Sequence, residues 1–133
     1  MLSKDDIEKT EVMYGPENTT KAILDFLSRA NKNLDIYADQ EWPSVSMGID
    51  IFNQAMHDVK KRGAKSRYIV EITKDNIHYC KMLMKIDELR HLKDFKGNFA
   101  INETEYIASS TMQQSQLLQH VIYSNVKTVL EQH

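Results

Sequence analysis

Two extended segments with a helix between them limit what this chain can fold into more than any other feature. Leu34-Asp35-Ile36-Tyr37-Ala38-Asp39 alternates in the manner of a half-buried strand, and Lys65 to Ile72 reads as a second strand. Between them Ile49, Phe52, Ala55, Met56 and Val59 form one apolar stripe at helical spacing, with Ser44 or Ser46 as N-cap and Gly63 as the left-handed closing residue. A strand, a helix and a strand with a short exit loop predict a right-handed parallel crossover. Gln40-Glu41-Trp42-Pro43 reads as a loop, because Pro43 biases Trp42 away from helix. Asp39, Trp42, Glu71 and Thr73 then fall at the carboxyl ends of neighbouring strands, where open sheets bind ligands.

The flanking segments extend this unit. Residues 1–11 are charged and predict a loose leader, and Glu11 to Tyr14 a short extended segment ended by Gly15-Pro16. Asn18 is the expected cap of a helix through Ala22, Ile23, Phe26, Leu27 and Ala30. Asp75 or Asn76 opens another through Ile86, with Cys80 in its buried side. Glu88 to Ser110 reads as a strand, a polar turn and a hairpin whose polar groups (Arg90, His91, Lys96, Asn98, Asn102, Ser109, Ser110) can make a site. Residues 112–131 predict a C-terminal helix, with Leu117, Leu118, Val121, Ile122, Val126, Val129 and Leu130 as its apolar face. The order of elements predicts an α/β sandwich with a mixed sheet, and 133 residues predict a single domain over 1–133.

Composition serves to exclude. The net charge is −2, whereas non-specific nucleic-acid binding draws on clustered Lys and Arg, so no direct nucleic-acid partner is expected. The one dense basic run, Lys60-Lys61-Arg62, is accounted for by the dipole at a helix C-terminus. Cys80 is the sole cysteine, which rules out an intrachain disulfide and fits a reducing cytoplasm. No stretch approaches the ~18 apolar residues of a membrane span. His57, His78, His120 and His133 lack metal-ligand spacing, so neither a metal nor a cofactor is expected.

The helix ending near Ala30, the strand from Leu34, the run Lys61-Arg62-Gly63-Ala64-Lys65-Ser66-Arg67-Tyr68, the segment Asn98-Phe99-Ala100-Ile101-Asn102 and Ala108-Ser109-Ser110-Thr111 together resemble one half of a phospholipase-D-like domain. The resemblance covers about Lys21 to Thr111 and implies a phospholipase-D-like α/β/α sandwich with a mixed, mostly parallel sheet. More narrowly, the run from Tyr68 to the hairpin looks like the ligand-sensing modules of archaeal signal-transduction histidine kinases, the closer match, and like the effector domain of sugar-responsive archaeal transcription regulators.

Phospholipase-D chemistry needs a histidine nucleophile, a second histidine as acid and a lysine on the phosphate oxygens. Alignment on the family motif puts Lys96 in the histidine slot, Asn98 in the lysine slot and Asn102 or Glu103 near the aspartate slot. His91-Leu92-Lys93 spells the motif, but a turn rather than an apolar strand follows it. The resemblance therefore implies no catalytic residues and a non-catalytic sensor of signal transduction. It would bind an unidentified small molecule through Asp39, Trp42, Glu71, Thr73, Arg90, His91, Lys96, Asn98, Ser109 and Ser110, and relay occupancy through the C-terminal helix of a homodimer. A phosphodiesterase or phosphatidyl-transfer enzyme using His91 and Lys93, or a pure dimerisation module, are the alternatives.

Overall fold

The computed structural model describes residues 7–94, 97–109 and 120–127. In chain order the elements are β1 (Thr10–Tyr14), α1 (Pro16–Ser28), β2 (Asn33–Ala38), α2 (Trp42–Gly48), α3 (Asp50–Lys61), β3 (Lys65–Val70), α4 (Ile77–Leu83), β4 (Glu88–His91), β5 (Asn98–Asn102), β6 (Tyr106–Ser109) and β7 (His120–Ser124). The strands form one seven-stranded sheet in the order β1-β7-β6-β5-β2-β3-β4. The parallel crossover is present: β2 pairs β3 in parallel from Asn33↔Lys65 to Ala38↔Val70, and β4 extends that group.

The other pairings are antiparallel. The sheet is therefore mixed but mainly antiparallel, not mostly parallel as the resemblance implied. A short turn such as Glu103-Thr104-Glu105 can close only an antiparallel pair. The second correction concerns the C-terminal helix. Within the expected span 112–131, residues 120–124 form β7, inserted between β1 and β6. Val121 is buried, Ile122 exposed and Tyr123 buried, a period of two that suits these β-branched and aromatic residues. Residues 110–119 and 128–133 lie outside the described part.

Two helix boundaries also differ. α1 begins at Pro16, after Gly15 at φ 86°, and Asn18 sits inside it, donating from Nδ2 to the Tyr14 carbonyl at 3.1 Å. Trp42 and Pro43 open α2 instead of ending a loop. Proline is tolerated in a first turn, where its missing N–H has no helical acceptor to lose. The expected single helix is broken at Ile49, whose extended backbone (φ −110°, ψ 118°) separates α2 from α3.

Leu34, Ile36, Ala38, Tyr68, Val70, Ala100, Ile107 and Val121 share one face of the sheet and are buried with Phe26, Val45, Phe52, Met56, Val59 and Leu83 from the helices. Full burial of side chains such as Phe26 and Phe52 contributes about 1.5–3 kcal/mol each. Asp35, Tyr37, Arg67, Ile69, Phe99 and Ile101 alternate onto the opposite face. None of the four described helices packs there, so the described residues make two layers rather than a three-layer sandwich.

Three contacts order the end of the sheet at which β2 and β3 begin. Arg62, just past α3, reaches α1: its Nη2 donates to the carbonyls of Leu27 at 2.5 Å and Ala30 at 2.9 Å. The Lys65 N–H donates to the Lys32 carbonyl at 2.8 Å. Glu103 Oε1 accepts the backbone N–H groups of Asn31, Lys32 and Asn33 at 3.0, 2.6 and 2.8 Å. Its partial burial works to raise its pKa, yet these N–H groups win and hold it below the ordinary carboxylate value. A depressed folded pKa contributes stability that is present above the unfolded value and lost as pH falls through the folded one. Urea unfolding of wild type and Glu103→Gln from pH 7 to pH 3 should show the variant less stable at pH 7, with the gap closing on the acid side. A gap that does not change with pH would contradict the role of the charge.

Candidate functional site

The sequence-derived residues divide into two groups at the carboxyl ends of the parallel strands. Asp39, at the end of β2, is 3% exposed. Its N–H donates to Asn98 Oδ1 at 3.1 Å, Asn98 Nδ2 donates to Asp39 Oδ2 at 3.4 Å, and Asp39 Oδ1 accepts the Glu41 N–H at 3.0 Å. Asn98 faces Ser109 across the β5–β6 pair. Trp42, Asn98 and Ser109 line a cavity of about 40 Å³ whose other walls include Ile23, Phe26, Ile36 and Val121. Among the described residues the Ser109 hydroxyl is buried without a hydrogen-bond partner, and no histidine or carboxylate lines the cavity with it to act as a base. This corner thus holds its acid and amide in a mutual pair beside apolar walls.

The second group does not converge. Glu71 Oε2 accepts the Asp94 N–H at 3.0 Å and Asp39 Oδ1 the Glu41 N–H, so each of these strand-end acids is engaged by a backbone group of its own. His91 Nδ1 accepts the Ile72 N–H at 3.0 Å, which leaves the ring proton of a neutral imidazole on Nε2. Arg90, its neighbour in β4, alternates to the other side and pairs with Glu88 at 3.1 Å. Thr73 exchanges hydrogen bonds with Asn76 at 2.7 and 3.2 Å. Lys96 and Ser110 lie outside the described residues. No group of three His, Cys, Asp or Glu side chains among the described residues is placed to hold a metal ion.

Sequence reasoning missed two features here. Asn76, read only as a helix cap, is 4% exposed and ties two loops together, its Nδ2 donating to the Gln40 carbonyl at 2.9 Å and the Glu71 carbonyl at 2.8 Å. The second is a polar cluster beneath α2 and α3. Both Asp87 carboxylate oxygens and the Ser66 hydroxyl are buried, and the Ser66 hydroxyl faces the acid. Burial pushes the Asp87 carboxyl up to about 6, against the opposing pull of Ser66, Lys60 and His57. The Tyr68 hydroxyl, raised by its own burial and by Asp87, donates to Met56 Sδ at 3.4 Å beside the Trp42 indole. Asp87 follows a helix and precedes a strand, so it reads as a turn residue; only packing brings Ser66 to it.

The sheet and its helices define a class, a mixed α/β fold with an open seven-stranded sheet. No protein-family model matches the sequence, and no curated protein is similar to it. Among solved structures, a similar one is TrmBL2, an archaeal chromatin protein described as showing a novel mode of DNA binding. It superposes with a TM-score of 0.62 at 18% identity, over 99% of this chain and 51% of that one. The chain thus spans about half the length of that neighbour.

This finding overturns the reading as a phospholipase-D-like sensor of a signal-transduction histidine kinase, together with its phospholipase-D-type enzymatic alternative, because the fold recurs in a chromatin protein instead. The relay helix of that reading is a strand over residues 120–124, and short strings such as His91-Leu92-Lys93 recur by chance. The exclusion of nucleic acid falls with it. A net charge of −2 averages over the whole surface, whereas phosphate binding depends on local clusters. As for membranes, no described helix is long and apolar enough to cross one.

Asp87 yields a measurable consequence. A folded pKa raised from 3.8 to about 6 gives stability that is fully present below the unfolded pKa and lost as pH rises through the folded one. The ionised group at pH 7.5 therefore costs on the order of 3 kcal/mol. Asp87→Asn should raise the melting temperature at pH 7.5 and lose that advantage below pH 4. Equal thermal shifts at both pH values would show that the charge of Asp87 is not responsible.

Proposed function

We propose that this chain is a DNA-associated α/β module of the chromatin-protein kind. The observation that carries the reading is the similarity of 99% of the chain to half of TrmBL2, an archaeal chromatin protein with a described mode of DNA binding. The site chemistry is compatible with a binding role. Asp39 and Asn98 bond each other, Glu71 and His91 are engaged by backbone N–H groups, and no base among the described residues lines the cavity with Ser109, so these residues are read as fixing strand ends and loops. The same reading keeps the chain as one module and places it in the cytoplasm.

Fluorescence anisotropy of a labelled duplex titrated with the protein tests it. Binding that draws on phosphate charge should saturate in the range of roughly 1–100 μM, weaken as salt is raised, and depend little on sequence. A flat titration at the lowest salt, with protein well above that range, would remove the proposal.

A further inference from the structure

We propose that the end of the sheet where β2 and β3 begin is the surface that takes the phosphates of duplex DNA, an inference that rests on the DNA-associated reading above. Lys60, Lys61 and Arg62 close α3, Lys65 opens β3, and Lys32 precedes β2; all are exposed. Asn33 and Lys65 are register partners, and Lys65 donates its N–H to the Lys32 carbonyl, so two loops distant in sequence present one basic edge.

The dipole of α3 accounts for cations in its last turn, but that effect fades within a turn and does not reach Lys32 or Lys65. Lys32, Lys60, Lys61 and Lys65 take part in none of the described ion pairs, whereas Arg67 and Arg90, on β3 and β4, pair with Asp35 and Glu88. Four carboxylates on neighbouring elements are occupied or buried. Glu103 accepts three backbone N–H groups, Glu105 is held by Arg29, Asp58 accepts from Gln54, and Asp87 is inside.

The edge is also ordered in advance. Arg62 spends its guanidinium on the carbonyls of Leu27 in α1 and Ala30 just past it, locking the α3 terminus to the end of α1, and Glu103 fixes the loop carrying Lys32. Four ammonium groups on a fixed frame, with no planar fork to read a base edge, suit sequence-independent contact with the DNA backbone.

The test compares two variants of equal charge change with wild type on one duplex. One is Lys32→Gln, Lys60→Gln, Lys61→Gln and Lys65→Gln combined; the other is Lys74→Gln, Lys81→Gln, Lys85→Gln and Lys93→Gln, on and around α4. Four phosphate contacts predict that wild-type affinity falls roughly 150-fold between 50 and 200 mM salt. The first variant should lose at least about 10-fold in affinity at 50 mM salt and most of that salt slope, and the second should retain both. Wild-type binding with an unaffected first variant, or with equal losses in both, overturns the inference and leaves the DNA reading standing. A wild type that does not bind removes the reading beneath it. Glutamine removes the charge while staying polar, and unchanged melting temperatures confirm that affinity alone has moved.

Discussion

The buried carboxylate of Glu105 joins parts of the molecule that the chain keeps far apart. It is 3% exposed. Its Oε1 accepts from Arg29 Nε just past α1 and from the Tyr123 hydroxyl of β7, both at 2.6 Å, and its Oε2 from Asn102 Nδ2 of β5 at 2.9 Å. A buried charge is tolerable only when paired and fully hydrogen-bonded, and here one guanidinium, one phenol and one amide meet that demand. Tyr123 is held well above its ordinary pKa, first by burial and then by this carboxylate, and remains a proton donor to it. Helix α1, the β5–β6 turn and β7 are therefore fixed to one point, and the antiparallel half of the sheet is built around it.

The parallel half depends on apolar packing. Leu34, Ile36, Tyr68 and Val70 carry alternating, mostly aliphatic patterns on segments of six residues, and such periods survive in the sequence unaltered. That is why the crossover and the hairpin were legible. β7 was not, because Val121, Ile122 and Tyr123 fall within a longer run of apolar residues that also satisfies a helical period, and length favours the helix. Trp42-Pro43 misled for a local reason: the rule against a helix before proline weakens at a first turn.

The candidate site was legible only in its C-terminal-edge half. Asp39 and Asn98 were expected there and do meet, since a strand end and a hairpin start are positions that pattern alone can supply. The Ser66–Asp87 cluster, the Asn76 bridge and the joining of Lys32 to the Lys60-Lys61 run arise from packing between residues 21 to 36 positions apart. No periodicity records such proximity. The basic run itself was seen, but the summed charge of the chain hid what its partners across the loop add.

The pairing of β1 with β7 carries a consequence for how the protein comes into being. Thr10 lies opposite Ser124, and among the described strands β1 pairs only with β7, so β1 waits for a partner 114 residues further along the chain. Closing so long a loop comes late and contributes high contact order, while β2, α2, α3 and β3 can assemble from near neighbours in sequence. Until β7 arrives, β6 and β1 each present an unpaired backbone edge, and nascent chains close together are exposed to wrong strand exchange in that interval.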